Sequence, residues 1–205
     1  MRTKTEQELF WEGTFGEEYS ARNRIAAANR AAFFAHVLSK TYGVLSVCEF
    51  GANIGTNLQA IRSLSENFLL TGVELNAKAF EELKSIKSVD AICLPIQDFQ
   101  PNKTFDLVFT CGVLIHLNPD DLPIAYRKMY DTSARYVLIN EYFNPTPVEL
   151  TYRGHSGRLF KRDFALEFKT LFENKVRLIE YGFLWQADNP AWDNTTWFLF
   201  EKCDA

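Results

Sequence analysis

The chain predicts an α/β domain: a mostly parallel seven-stranded sheet closed by a C-terminal antiparallel hairpin, with helices on both faces. Three observations carry this. Short apolar runs alternate with stretches whose apolar residues recur at helical spacing, giving five strand–helix units in succession, and such alternation builds a parallel sheet. The first run, V-L-S-V-C-E-F, suits a strand buried on both faces, and it is followed by Gly51 and Gly55. The tail departs from the rhythm, with one helix and then two strands separated only by a polar turn region, which pair antiparallel.

Taken in order, residues 26–40 are alanine-rich, and Ala32, Phe33, His36 and Val37 fall on one helical face before Gly43. The first strand follows from residue 44. A helix then starts near Thr56, with Leu58, Ile61 and Leu64 on its inner face. Residues 69–75 form the second strand, and Asn76 caps a helix that turns Phe80, Leu83 and Ile86 inward. Strands at 91–94, 105–110 and 136–141 and a helix at 122–130 complete the parallel part. Phe164, Phe168, Leu171 and Phe172 mark the last helix, before strands at 176–183 and 196–201. Between them, residues 144–161 are expected to form an unusually long loop, and long ordered loops in compact domains often carry function.

Composition narrows the function. With 205 residues, 47% apolar, the chain fits one domain with a full-sized core. The divisions expected within it are an N-terminal lid over 1–25, a cofactor-binding core over 44–141, a substrate loop over 144–162 and the hairpin over 176–201. A formal net charge of −4 offers no general attraction for nucleic acid or anionic membrane. Cys48, Cys93, Cys111 and Cys203 stand singly, without zinc spacing, and read as buried reduced thiols. No apolar signal core opens the chain and no stretch reaches bilayer-spanning length, which implies a soluble cytoplasmic protein. Monomer and homodimer are equally open.

The chemistry concentrates at strand ends, where open α/β sheets bind ligands. Gly51 and Gly55 let the backbone approach a ligand, and the helix after them aims free N–H groups at a carboxylate or phosphate. Glu74 ends the second strand 23 residues after Gly51, where a carboxylate can accept from both hydroxyls of a ribose. Asp98, in P-I-Q-D-F, can accept from an adenine amine while Ile96 or Phe99 covers the ring, although loop aspartates also commonly cap their own turns. Leu75, Gln97, Cys111 and Gly112 adjoin these strand ends and complete the expected cofactor wall. His116, just past the fourth strand, is either a general base or a pocket-wall histidine. Asp120 and Asp121 follow Pro119 at a helix start and favour its dipole, so no catalytic metal is expected.

Two segments flank this core. Y-R-G-H-S-G-R-L-F-K-R, at 152–162, gathers cations in an acidic chain, and Arg153, Arg158 and Arg162 are candidates to grip an anionic small-molecule acceptor. His155 is a second candidate base; Tyr152, Glu141, Tyr142 and Asn144 are placed to orient the acceptor. F-W-E-G-T-F-G-E-E-Y, at 10–19, mixes aromatics with glycines in the manner of a lid, with Trp11, Tyr19 and Arg22 as contacts, or else packs as a helix on the sheet edge.

A dinucleotide fingerprint would place its third glycine at Thr56, whereas E-x-G-x-G-x-G matches at Glu49, Gly51 and Gly55 and departs only at Asn53, a residue that tolerates left-handed backbone. With F-W-x-G-x-F-G-E-E-Y, E-F-G-A-N-I-G, G-V-L-I-H-L, and E-Y-F-N-P-T-P-V with Y-R-G-H-S-G-R-L-F-K-R-D-F over 141–164 assembled, the chain resembles the pseudaminic acid biosynthesis-associated methylases, within the class I S-adenosylmethionine-dependent methyltransferases. The resemblance runs nearly end to end. It implies a Rossmann-like class I methyltransferase fold, S-adenosylmethionine as cofactor, and methylation of a hydroxyl or amine on a sugar acid or nucleotide sugar of nonulosonic acid biosynthesis. Two alternatives remain open: carboxyl O-methylation of another small metabolite, and a non-catalytic S-adenosylmethionine-binding partner protein.

Overall fold

A computed structural model describes residues 2–203. Two short helices come first, α1 (Glu6–Glu12) and α2 (Thr14–Arg22). Thr5 starts α1 with a capping box: its hydroxyl accepts from the Glu8 N–H while Glu8 reaches back to the Thr5 N–H. Helix α3 (Ala28–Ser39) leads into β1 (Ser46–Phe50), α4 (Thr56–Arg62), β2 (Leu69–Glu74), α5 (Ala77–Lys84) and β3 (Val89–Cys93). Then come β4 (Phe105–Cys111), α6 (Leu122–Thr132) and β5 (Ser133–Glu141).

These five strands are parallel, in the order β3-β2-β1-β4-β5. The tail supplies α7 (Phe164–Phe172), β8 (Val176–Leu184) and β9 (Thr195–Lys202), and β9 inserts antiparallel between β5 and β8. The expected mostly parallel seven-stranded sheet with a terminal antiparallel hairpin is therefore what the chain forms. Strand order reverses between β1 and β4, which opens a crevice at their carboxyl ends.

Both faces of the sheet are covered, so the central strands can be apolar on either side. Val47, Leu107, Phe109, Leu138 and Leu199 pack with Phe33, Phe34 and Val37 of α3 and Leu58 and Ile61 of α4. Cys48, Phe50, Val108, Val137 and Ile139 meet Ala125, Tyr126 and Met129 of α6 and Phe164 and Phe168 of α7 on the other face. Leu64 lies beyond the end of α4 and is 38% exposed, so it leaves the inner face assigned to it. Of the four free cysteines only Cys48 is buried; Cys93 and Cys203 are exposed.

Residues 144–161 differ most from expectation. Instead of a loop they carry β6 (Val148–Tyr152) and β7 (His155–Lys161), a separate antiparallel hairpin. Tyr152 pairs with His155 across a two-residue turn in which Arg153 and Gly154 both have positive φ, the geometry whose twist matches paired strands.

Candidate functional site

The crevice at the β1–β4 reversal has a volume of about 550 Å³, within the range of small-molecule sites. Its floor is the glycine loop. The Gly51 N–H donates to the Val73 carbonyl at 2.8 Å, and with φ at +70° a side chain there would be strained. A Cβ would also fall 2.5 Å from a Val113 methyl. Asn53 takes positive φ and donates its N–H to Glu74 Oε2 at 2.7 Å, while the Asn76 N–H reaches Glu74 Oε1, also at 2.7 Å. Burial nevertheless raises the Glu74 carboxyl above the usual range, against these N–H groups. The strand-end acid and the glycine loop are thus a single hydrogen-bonded unit.

Deeper in, Glu49 is 1% exposed. Asn57 donates to its Oε1 at 2.6 Å, and Arg30 donates to Asn57 Oδ1 at 2.7 Å and to the Ala191 carbonyl at 3.1 Å, with its guanidinium 4.5 Å from the Trp192 ring. Glu49 Oε2 is buried with no partner. Burial pushes this carboxyl up to about 8, opposed by the Asn57 hydrogen bond and the Arg30 charge.

After β4, a 3₁₀ turn at Leu114–His116 is held by Glu141, whose carboxylate accepts from the N–H groups of Val113, Leu114 and Ile115 at 3.0, 3.1 and 3.4 Å. His116 Nδ1 lies 2.7 Å from the Arg158 carbonyl. A carbonyl only accepts, so this contact assigns the hydrogen to Nδ1 and leaves the lone pair on Nε2. Burial pushes the imidazole down to about 4, so it is neutral near pH 7. Its ring packs between Trp11 at 4.4 Å and Tyr152 at 5.1 Å.

The roof is α1, α2 and the hairpin. Asn76 Nδ2 donates to the Trp11 carbonyl at 3.0 Å, Ser20 Oγ donates to Asn53 Oδ1 at 2.7 Å, and Gln7 Nε2 donates to the Gly157 carbonyl at 2.9 Å. Gln7, Trp11, Tyr19 and Ser20 of the N-terminal segment thus line the crevice.

Of the residues singled out in the sequence, Trp11, Tyr19, Arg22, Glu49, Gly51, Asn53, Glu74, Leu75, Gln97, Cys111, Gly112, His116, Tyr142, Tyr152 and Arg153 line this crevice. Eight others do not. Gly55 caps α4 behind the loop, where a Cβ would lie 2.4 Å from Ile86 Cδ1. Asp98 is exposed and ion-paired with Arg2, and Phe99 is a core residue against Phe50. Glu141 is consumed by the turn it holds; Asn144 donates to the Thr146 carbonyl. His155 packs on Phe10 and Phe15 outside the crevice. Arg158 pairs with Glu6 and Arg162 with Glu167, so only Arg153 of the three cations reaches the lining.

The lining also includes Ser20, Arg30, Asn57, Trp192, Asp193 and Thr195, none of which the sequence reading assigned. Asn57 alone had a local signal, directly after the glycine loop. Among the described residues no group of three or more His, Cys, Asp or Glu side chains could hold a metal, and no helix is long and apolar enough to cross a membrane.

This architecture is the class I S-adenosylmethionine-dependent methyltransferase fold. The chain superposes on magnesium protoporphyrin IX methyltransferase from Synechocystis PCC 6803 with bound SAM at a TM-score of 0.70 and 10% identity, covering 98% of this chain and 100% of that one. It superposes on 1,6-didemethyltoxoflavin-N1-methyltransferase from Burkholderia thailandensis at 0.69 and 13% identity, covering 95% and 86%. CalS10, an amino pentose methyltransferase from Micromonospora echinaspora, matches at 0.67 and 13% identity, covering 91% and 96%. No protein-family model and no curated protein matches the chain.

Proposed function

We propose that this chain is an S-adenosylmethionine-dependent methyltransferase acting on a small-molecule acceptor. The observation that carries the reading is the buried Glu49 oxygen, partnerless at the base of a crevice at the sheet's reversal. An acceptor atom left unpaired in a low-dielectric site is costly, and the ammonium group of an amino-acid ligand would relieve it. The rest of the donor set fits the same molecule: Arg30 and the N–H groups of the glycine loop suit its carboxylate, Glu74 suits its ribose hydroxyls, and Leu75, Ile96 and Gln97 suit the adenine.

Bound there, the cofactor supplies an electrophilic methyl group on a cationic sulfur. The protein's own contribution is alignment and exclusion of water by the roof, effects that can lower a barrier by roughly 7–11 kcal/mol. His116, neutral and with its lone pair on Nε2, is placed to receive a proton from the acceptor. Tyr142 and Tyr152 line the same end and orient the acceptor.

As to the acceptor, the motifs at 10–19, 49–55, 112–117 and 141–164 support a sugar acid or nucleotide-sugar intermediate of nonulosonic acid biosynthesis. Arg153, at the turn of the hairpin, is the cation placed to meet its anionic group. Incubating the protein with methyl-labelled cofactor and small-molecule fractions from a nonulosonic-acid-producing bacterium tests both levels. Label in an anionic sugar derivative is expected. Label in an unrelated metabolite would overturn the acceptor assignment, and saturable cofactor binding without transfer to any fraction would favour a non-catalytic binding protein.

A further inference from the structure

The crevice also has a lining of different chemistry. Tyr19, Tyr142 and Tyr152 bring three phenol rings to it, and Trp11 joins them with ring centroids 5.3 Å from Tyr19 and 6.2 Å from Tyr152. Asp193 stands at the mouth beside Tyr142, whose phenol is raised above its usual range by burial and by that carboxylate. Thr195, 5% exposed, lines the same wall, and its buried hydroxyl has no partner. Of the neighbouring cations, Arg30 is held by Asn57, the Ala191 carbonyl and the Trp192 face, and Arg153 lies over Tyr152 at the hairpin turn.

Resting on the methyltransferase reading above, we infer that this wall of phenols, Asp193 and Thr195 receives an amine, and that the amine nitrogen is the atom methylated. The nitrogen lone pair forms the new N–C bond as the C–S bond breaks, its electron pair staying on sulfur. The amine attacks in its neutral form, after its ammonium proton has left to water, and the positive charge of the sulfonium thereby passes to nitrogen. A carboxylate and aromatic faces around the nitrogen stabilise the charge that develops there. Thr195 Oγ1 accepts from an amine N–H.

The other nucleophiles fit less well. A hydroxyl must lose its proton as it attacks, and burial leaves His116 a weak base, pushed down to about 4. A carboxylate acceptor would face Asp193 across the same wall, like charge against like. A neutral amine attacks through a free lone pair without losing a proton in that step, and Asp193 stabilises the charge that develops on its nitrogen.

The test uses the full-length protein with tyrosines labelled for NMR and saturated with S-adenosylhomocysteine, titrated with tetramethylammonium as the cationic probe and tert-butanol as its neutral counterpart. Saturable shifts of the Tyr19, Tyr142 and Tyr152 rings are expected with the cation and not with the alcohol. Asp193→Asn should weaken cation binding about tenfold or more, with Tyr142→Phe a smaller change. Equal response to both probes, or unchanged cation affinity in Asp193→Asn, would overturn the assignment. Calorimetry with S-adenosylhomocysteine on the same samples separates the two levels: failure to bind it sinks the methyltransferase reading, whereas normal binding with no cation preference sinks only the amine. Retained S-adenosylhomocysteine affinity in Asp193→Asn also shows that the variant is folded.

Discussion

Loading the crevice should release a proton from Glu49. With its carboxyl pushed up to about 8, the side chain is about 90% protonated at pH 7 in the empty crevice. An ammonium group docked on the partnerless Oε2 favours the ionised form, so binding S-adenosylhomocysteine at pH 7 should expel about 0.9 proton, and close to none at pH 9. The same linkage makes the apparent affinity rise about tenfold between pH 6 and pH 7, because each step down in pH below 8 adds a proton that must first leave. Calorimetry in phosphate and in Tris, whose ionisation enthalpies differ, reads the proton count directly. Glu49→Gln keeps an acceptor for Asn57 and removes the titration, so the release should vanish and the affinity should become flat between pH 6 and pH 7. Equal proton release by the wild type and Glu49→Gln would refute the assignment of Oε2 to the ammonium.

The remaining predictions concern the floor and the turn above it. Glu74→Ala should weaken S-adenosylhomocysteine binding by about 1–3 kcal/mol, since the diol would lose its acceptor and the Asn53 and Asn76 N–H groups their partner; unchanged calorimetric affinity would reject the ribose role. Gly51→Ala places a methyl 2.5 Å from Val113 at positive φ, and should cost about 1–3 kcal/mol of stability, seen as a lower thermal midpoint. Glu141 is pushed up to about 7 by burial, so the folded state binds the extra proton: its contribution is full below about 4.3, the unfolded value, and is lost as pH rises through 7. Urea midpoints should therefore fall between pH 5 and pH 7.5, and Glu141→Gln should make that fall shallower, the rest coming from Glu49 and Glu74, whose carboxyls are also raised by burial. His116, pushed down to about 4, is neutral throughout this range, so turnover should show no acid limb of its own between pH 5.5 and pH 8; a limb near 6.5 that disappears in His116→Asn would contradict the buried neutral ring.

What could be read from the sequence was whatever depends on neighbours along the chain. The β1 run, Gly51 and Asn53 of the glycine loop, Asn76 as a helix cap and Glu74 at a strand end are local patterns, and each lies where expected, whereas Gly55 packs behind the loop. The hairpin at 148–161 was not legible, because Arg153-Gly154 is not the usual pair for a two-residue turn and the glycines around it resemble a loop. The cationic run misled for a different reason. Arg158 and Arg162 find carboxylates on α1 and α7, and pairings made by packing leave no trace in the run itself. Arg30, Asp193 and Thr195 come from a helix and a strand approach at opposite ends of the chain, brought to one crevice only by the insertion of β9 beside β5.

Roof and floor share their polar groups. Ser20 of α2 is tied to Asn53, the loop residue whose N–H also reaches Glu74; Asn76, another donor to Glu74, holds the Trp11 carbonyl. On the acceptor side, the Arg158 carbonyl that fixes His116 belongs to β7, and the adjacent Gly157 carbonyl accepts from Gln7 of α1. Each carboxylate oxygen of Glu74 can accept a second hydrogen bond, so ribose hydroxyls need displace neither backbone donor. A ligand seated on Glu74 would thus rest against residues that the roof also holds, and the Arg158 carbonyl of that roof keeps His116 in the tautomer that leaves Nε2 free of hydrogen. On the function proposed above, the groups around Glu74 and the proton acceptor His116 are therefore joined through these side-chain and carbonyl contacts of α1, α2 and β7.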